Sequence, residues 1–149
     1  MHTEHLQNVT FGRVAAGWLV AVAVASLAAL AFISLGVFTE EASLTDTWWS
    51  VVAVVIGFFA GGFFAGFRAM QAPILHAAGI GVMSLVAWFV INVVVSLFFG
   101  GASWTGLTPE LAVGLLFAQF AAAGVGALLG YNIALRGKPG LSEHEPVEN

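Results

Sequence analysis

Long stretches without a charge set the pattern of this chain. Twenty-six residues separate Arg13 from Glu40, 21 separate Asp46 from Arg68, and 25 separate Glu110 from Arg136. A further 41 lie between Arg68 and Glu110, with His76 as their one titratable side chain. A helix crossing ~30 Å of hydrocarbon needs about 20 apolar residues. Three of these stretches are therefore one span each. The fourth holds one span plus loops, with Pro73 suited to a first helical turn and Gly100-Gly101 marking the far end. The spacing predicts helices over 13–38, 47–67, 73–99 and 109–135. Thr108-Pro109-Glu110 reads as N-cap, first-turn proline and first-turn acid, and Thr45 or Asp46 can cap the second helix in the same way. The runs lack the period-two alternation of membrane strands, so helices are preferred to a barrel. The first run is about twice as long as a signal-peptide core and has no clean A-x-A exit, so it is read as a span.

Composition agrees with this pattern. Of the 149 residues 60% are hydrophobic and 8% are charged. A soluble domain is roughly half apolar and roughly a quarter charged. Too few polar residues remain to cover a soluble surface. The sparse basic residues exclude a nucleic-acid binder, and the absence of Cys excludes disulfide scaffolds, thiol catalysis and Fe–S clusters. The expected fold is an all-α membrane bundle of four helices, with residues 1–136 as its transmembrane domain and 137–149 as a disordered tail.

Arg13, Arg68, Arg136 and Lys138 all fall on one side of a four-span topology, which places both termini in the cytoplasm by the positive-inside rule. The same residues are candidate contacts for anionic lipid. The opposite loops carry Glu40, Glu41, Asp46 and Glu110 and no base. Trp48, Trp49 and Trp104 suit the outer headgroup boundary, with Phe11 and Trp18 as weaker inner counterparts.

Lipid gives helices no hydrophobic reason to associate, and small residues that permit close backbone approach are the usual substitute. In the fourth span Gly114, Ala118, Ala122, Gly126 and Gly130 recur at intervals of four, and Gly17, Ala21, Ala25 and Ala29 repeat the device in the first. The second span is two-faced: Gly57, Gly61, Gly62, Ala65 and Gly66 share one half of the helical wheel, and Phe59, Phe63, Phe64 and Phe67 the other. The small half is expected inward and the aromatic half toward lipid or a partner.

Polar residues inside the bilayer are the default functional candidates. Ser84, Asn92 and Ser96 share a face of the third span, and Gln119 lies on the small-residue side of the fourth, which also carries Asn132. Wheel angle and depth allow an Asn92–Gln119 hydrogen bond. The same four residues, Ser84, Asn92, Ser96 and Gln119, can alternatively line a path for a small neutral solute. His76 is a candidate haem or metal ligand or proton relay. Its place in the first turn of the third span also lets an imidazole reach water or headgroups, and an interfacial or structural role is the preferred reading. Motifs of hydrolases, nucleotide-binding loops and metalloproteases are absent, so the chain is read as non-enzymatic with no expected cofactor.

Spans two and four end alike: Gly62-Phe-Phe-Ala-Gly66-Phe67 aligns with Gly126-Ala-Leu-Leu-Gly130-Tyr131, as two tandem hairpins in the same orientation would. The segments 61–69 and 74–81, with Gly124 to Asn132, resemble a family of small four-span bacterial membrane proteins of unknown function. That family's pattern runs Gly-Gly-x-x-x-Gly-x-Arg, a short turn, Leu-His-Gly, and a final Gly-x-Asn. The matched positions are Gly62, Gly66, Arg68, His76, Gly130 and Asn132. Ala77 departs from the Gly after the His, and Met70-Gln71-Ala72-Pro73 from a more basic turn. The resemblance implies a multi-pass protein of the bacterial inner membrane and no assigned activity. Three readings follow: a packing protein, either an accessory subunit of a membrane complex or a small homo-oligomer; a small-solute channel or transporter; and a cofactor-binding subunit using His76.

Overall fold

The computed structural model describes residues 9–38, 44–69, 72–99 and 109–136, and the side chains of 44–46, 99 and 109–111 lie outside what it describes. Four helices account for nearly all of it: α1 (Phe11–Ser34), α2 (Leu44–Arg68), α3 (Pro73–Phe99) and α4 (Pro109–Arg136). Each is long and apolar enough to cross a membrane. The chain is an integral membrane four-helix bundle.

α3 begins on Pro73 and α4 on Pro109, as the prolines predict. α1 ends earlier than expected, at Ser34 rather than residue 38. The stop is Gly36, whose φ of 69° an L side chain rarely adopts. Gly36 N–H donates to Ile33 O at 3.0 Å and Val37 N–H to Phe32 O at 3.0 Å, the paired bonds of a Schellman end. α2 starts at Leu44, so Thr45 and Asp46 fall in its first turn rather than capping it. Residues 100–108 and 137–149, with the Thr108 cap, Trp104, Lys138 and the predicted tail, lie outside the described residues, as do Glu40 and Glu41.

α2 is the hub. Its most extensive contacts are with α4 and α1; α3 meets α4, α1 and α2 less closely. A Cβ on Gly57 would strike the Ala21 carbonyl and Ala25, and one on Gly61 would strike the Gly17 carbonyl and Ala21. These glycines let the antiparallel α1 lie backbone to backbone on α2. One position further round, Gly62 faces Ala123 O and Gly66 faces Ala127 O across the parallel α2–α4 contact. From the other side Gly126 faces Phe59 O and Gly130 faces Phe63 O.

These four contacts are related by a constant offset of 64 residues. It carries Phe59, Gly62, Phe63 and Gly66 onto Ala123, Gly126, Ala127 and Gly130. The same offset carries α1 onto residues 75–98 and α2 onto 108–132, within α3 and α4 or a residue from them. The two aligned Gly-x-x-x-Gly motifs are thus each other's partners, packed about a local pseudo-two-fold axis between parallel helices. The symmetry fails at the hairpins. Gly57 and Gly61, which seat α1, map onto Ala121 and Val125, which are exposed. A methyl and a β-branched side chain hold a helix off where glycine admits one. α3 lies instead against the Phe120 side of α4, with that ring 2.6 Å from the place a Gly81 Cβ would take.

The core follows from these contacts. Val14, Ala21, Phe58, Ala65, Ala77, Ile80, Ala122, Ala123 and Ala127 form one buried cluster. It occupies the half of the bundle nearer Arg13, Arg68 and Arg136, called here the basic end. Away from that end α1 and α2 stay joined by an edge-to-face pair, Phe32 and Trp49, at 5.2 Å. α3 is less closely joined: beyond Ser84 most of its large apolar side chains are exposed.

Candidate functional site

At the basic end one side chain ties three segments together. His76 is fully buried. Its Nδ1 lies 2.9 Å from Ala72 O. A carbonyl can only accept, so Nδ1 carries the proton. Nε2 accepts the Thr10 N–H at 3.4 Å. The ring therefore links the turn before α3 to the residue that precedes α1, 66 positions away. Ala72 holds a φ of 52°, a left-handed conformation costing an L residue roughly 1–2 kcal/mol. In return its carbonyl accepts both the His76 ring and the His76 N–H. Of the two roles expected for His76, the interfacial one is corrected here, because Thr10 lies over the ring and His76 is fully buried, and the structural one remains. Both nitrogens are engaged, so neither is open to a metal or haem iron. Among the described residues there is no group of three or more His, Asp or Glu side chains placed to hold a metal.

Beside this knot the start of α1 and the end of α2 enclose a cleft of about 370 Å³. Thr10, Gly12, Arg13 and Ala16 line it from α1, and Phe64, Ala65 and Arg68 from α2. The Arg68 guanidinium lies over the Phe64 ring, 5.1 Å from its centre. Arg136 is exposed at the end of α4 and does not line the cleft.

The intramembrane polar residues separate into two groups. Ser84 and Gln119 share a largely apolar cleft of about 310 Å³ between α3 and α4. Asn92 and Ser96 lie on a different, shallower groove with Trp88 and Leu97. Asn92 Nδ2 donates to Trp88 O of its own helix at 2.7 Å. The expected Asn92–Gln119 bond is not formed: the Asn amide is taken up one turn back, and the two residues face different clefts. Asn132 is exposed near the end of α4.

The expected ridge on α4 is only partly an interface. Ala122, Gly126 and Gly130 are buried, Ala118 is half-buried, and Gly114 is exposed with nothing within 4 Å of its would-be Cβ. Ala123 and Ala127, buried against Gly62 and Gly66, escaped the sequence reading. They lie one position off the interval-four series, which followed a single straight ridge. On α2, Gly57, Gly61, Gly62 and Gly66 are all buried, while Phe59 and Phe67 are exposed and Phe63 and Phe64 intermediate. Trp48 is exposed, whereas Trp18 packs against the core. The Arg13–Arg68 convergence was also missed. No local signal could have found it, since the two residues are far apart in the chain. The chain matches no family model, no curated protein and no solved structure.

Proposed function

We propose that this integral membrane protein is a non-enzymatic packing component of the bacterial inner membrane, with its basic end in the cytoplasm. It acts by contact with a second membrane protein or a second copy of itself. The observation that carries this reading is the state of α3 beyond Ser84. Phe89, Val90, Ile91, Val93, Val94, Leu97 and Phe98 are all exposed, Leu97 by 76% and Phe98 by 78%. Apolar exposure alone suits lipid. Among these residues, however, sit Asn92 and Ser96, and the Asn92 side-chain carbonyl receives no donor from the described residues. An amide carbonyl at membrane depth is better satisfied by another helix than by lipid. The glycines of α2, by contrast, are consumed inside the bundle and leave no small-residue face there for a partner.

The chain has no Cys, which gives a clean test. Single cysteines at Phe89 and Leu97 should cross-link in native membranes, to a second copy or to a distinct protein. A cysteine at Ile133, exposed on α4, should not. Equal yields at all three positions would remove the case for a specific α3 contact. A second reading, a solute path, draws on Ser84 and Gln119 sharing one cleft. It needs Asn92 and Ser96 on the same path, and they lie on another groove. Flux of a neutral solute in proteoliposomes, lost on Gln119→Leu with fold intact, is the result that would favour it.

A further inference from the structure

We propose that the cleft between the start of α1 and the end of α2 binds one phosphate-bearing anion, the headgroup of an anionic lipid, between Arg13 and Arg68. Arg13 and Arg68 come from different helices and line the same cleft. None of the residues whose side chains are described is acidic, so none of these neutralises them. Two such cations on one small cleft repel each other unless an anion sits between them. Arginine suits that anion well, because its planar fork can give a phosphate two parallel hydrogen bonds. Arg68 Cζ lies over the Phe64 ring, and an arginine held over a ring can still donate its N–H groups to an acceptor.

The backbone adds to the same field. α1 has no side-chain cap and no acid in its first turn. Its helical bonding starts with Arg13 N–H and Val14 N–H to Thr10 O. The Thr10 N–H is given to His76. The amides of Phe11 and Gly12 precede the first helical bond, at the positive end of the helix dipole. Gly12 itself lines the cleft, with open space where a Cβ would stand.

The shape selects a lipid over a free phosphate. Arg13, Arg68 and Thr10 form a polar mouth at the helix ends, where headgroups lie. Ala16, Phe64 and Ala65 form an apolar wall three to four residues deeper, about 5 Å toward the membrane interior. That order of polar mouth and apolar floor matches an amphiphile entering from the bilayer. Basic pockets between membrane helices are known to hold anionic headgroups in this way.

The test is native mass spectrometry of the full chain in detergent, with phosphatidylglycerol, phosphatidylcholine or inorganic phosphate added. The wild-type chain should retain one phosphatidylglycerol in preference to phosphatidylcholine. R13Q/R68Q should lose that retention by about tenfold or more, since each cation near the surface contributes roughly fivefold. R136Q/K138Q, which removes the same charge elsewhere, should retain it. R13K/R68K, which keeps the charge without the fork, should fall between. This variant also keeps the test decisive if the glutamine pair fails to fold. Equal retention by wild type and R13Q/R68Q, or an equal loss in R136Q/K138Q, would overturn the site. Displacement of the lipid by inorganic phosphate would overturn the lipid source and assign the cleft to a soluble phosphate.

Discussion

His76 shows how much a single side chain can hold in a membrane protein with few polar groups. Its two nitrogens join the Ala72 carbonyl and the Thr10 amide in a buried setting. Replacing it by leucine leaves the Thr10 N–H without its partner, and a buried donor left unpaired costs roughly 1–3 kcal/mol. His76→Leu should lower unfolding free energy in detergent by that amount and speed amide exchange at Thr10, while α4 amides near Gly126 stay protected. Unchanged exchange at Thr10 would mean that the bond does not tether α1. Asn92 and Gln119 make the complementary case. Asn92 bonds its own helix and the two face different clefts, so their energies should add. Asn92→Leu with Gln119→Leu should equal the sum of the single changes within about 0.3–0.5 kcal/mol. A larger coupling would place them in one network after all.

Among the elements, α2 and α4 carry the closest approach in the bundle. The contact is backbone against backbone, so an added side chain has no flexible neighbour to push aside. Gly62→Leu, Gly66→Leu, Gly126→Leu and Gly130→Leu should each destabilise by about 1–3 kcal/mol or more. Gly114→Leu should be near neutral, because nothing lies within 4 Å of its would-be Cβ. Thermal unfolding in detergent reads both. Leu128→Ala, at an exposed position, should also cost little. A Gly114→Leu cost equal to that of Gly126→Leu would show the α4 face to be used along its whole length.

In the molecule as a whole, two unequal hairpins meet through a nearly symmetric contact. The pseudo-two-fold predicts that Gly62→Ala and Gly126→Ala cost the same, since each meets the carbonyl that the 64-residue offset assigns to the other. A clear difference in melting temperature would limit the symmetry to geometry. The placement of Arg13, Arg68 and Arg136 at one end predicts the direction of insertion. A reporter fused after Lys138 should be cytoplasmic and one inserted at Ser103 external. A C-terminus found outside would invert the assignment of the basic end and move the proposed anion site to the other leaflet.

Hydropathy alone determined the number of spans and, within a few residues, their limits. The reason is that crossing hydrocarbon is a one-dimensional requirement: an uncharged run of sufficient length meets it without reference to any other segment. Proline marked the starts of α3 and α4 because its constraint is local. Gly36 carried an equally local stop signal for α1, and only its φ of 69° made that plain. Which small residues touch was another matter. Gly57 and Gly61 serve α1 while Gly62 and Gly66 serve α4, and glycine spacing reads the same for both. The partner of each was decided by how the helices lie against one another. The burial of His76, the separation of Asn92 from Gln119 and the convergence of Arg13 with Arg68 depend likewise on contacts between distant segments. In lipid such contacts rest on shape and a few hydrogen bonds. Neither leaves a periodic trace along the chain, and tertiary structure alone brings the partners together.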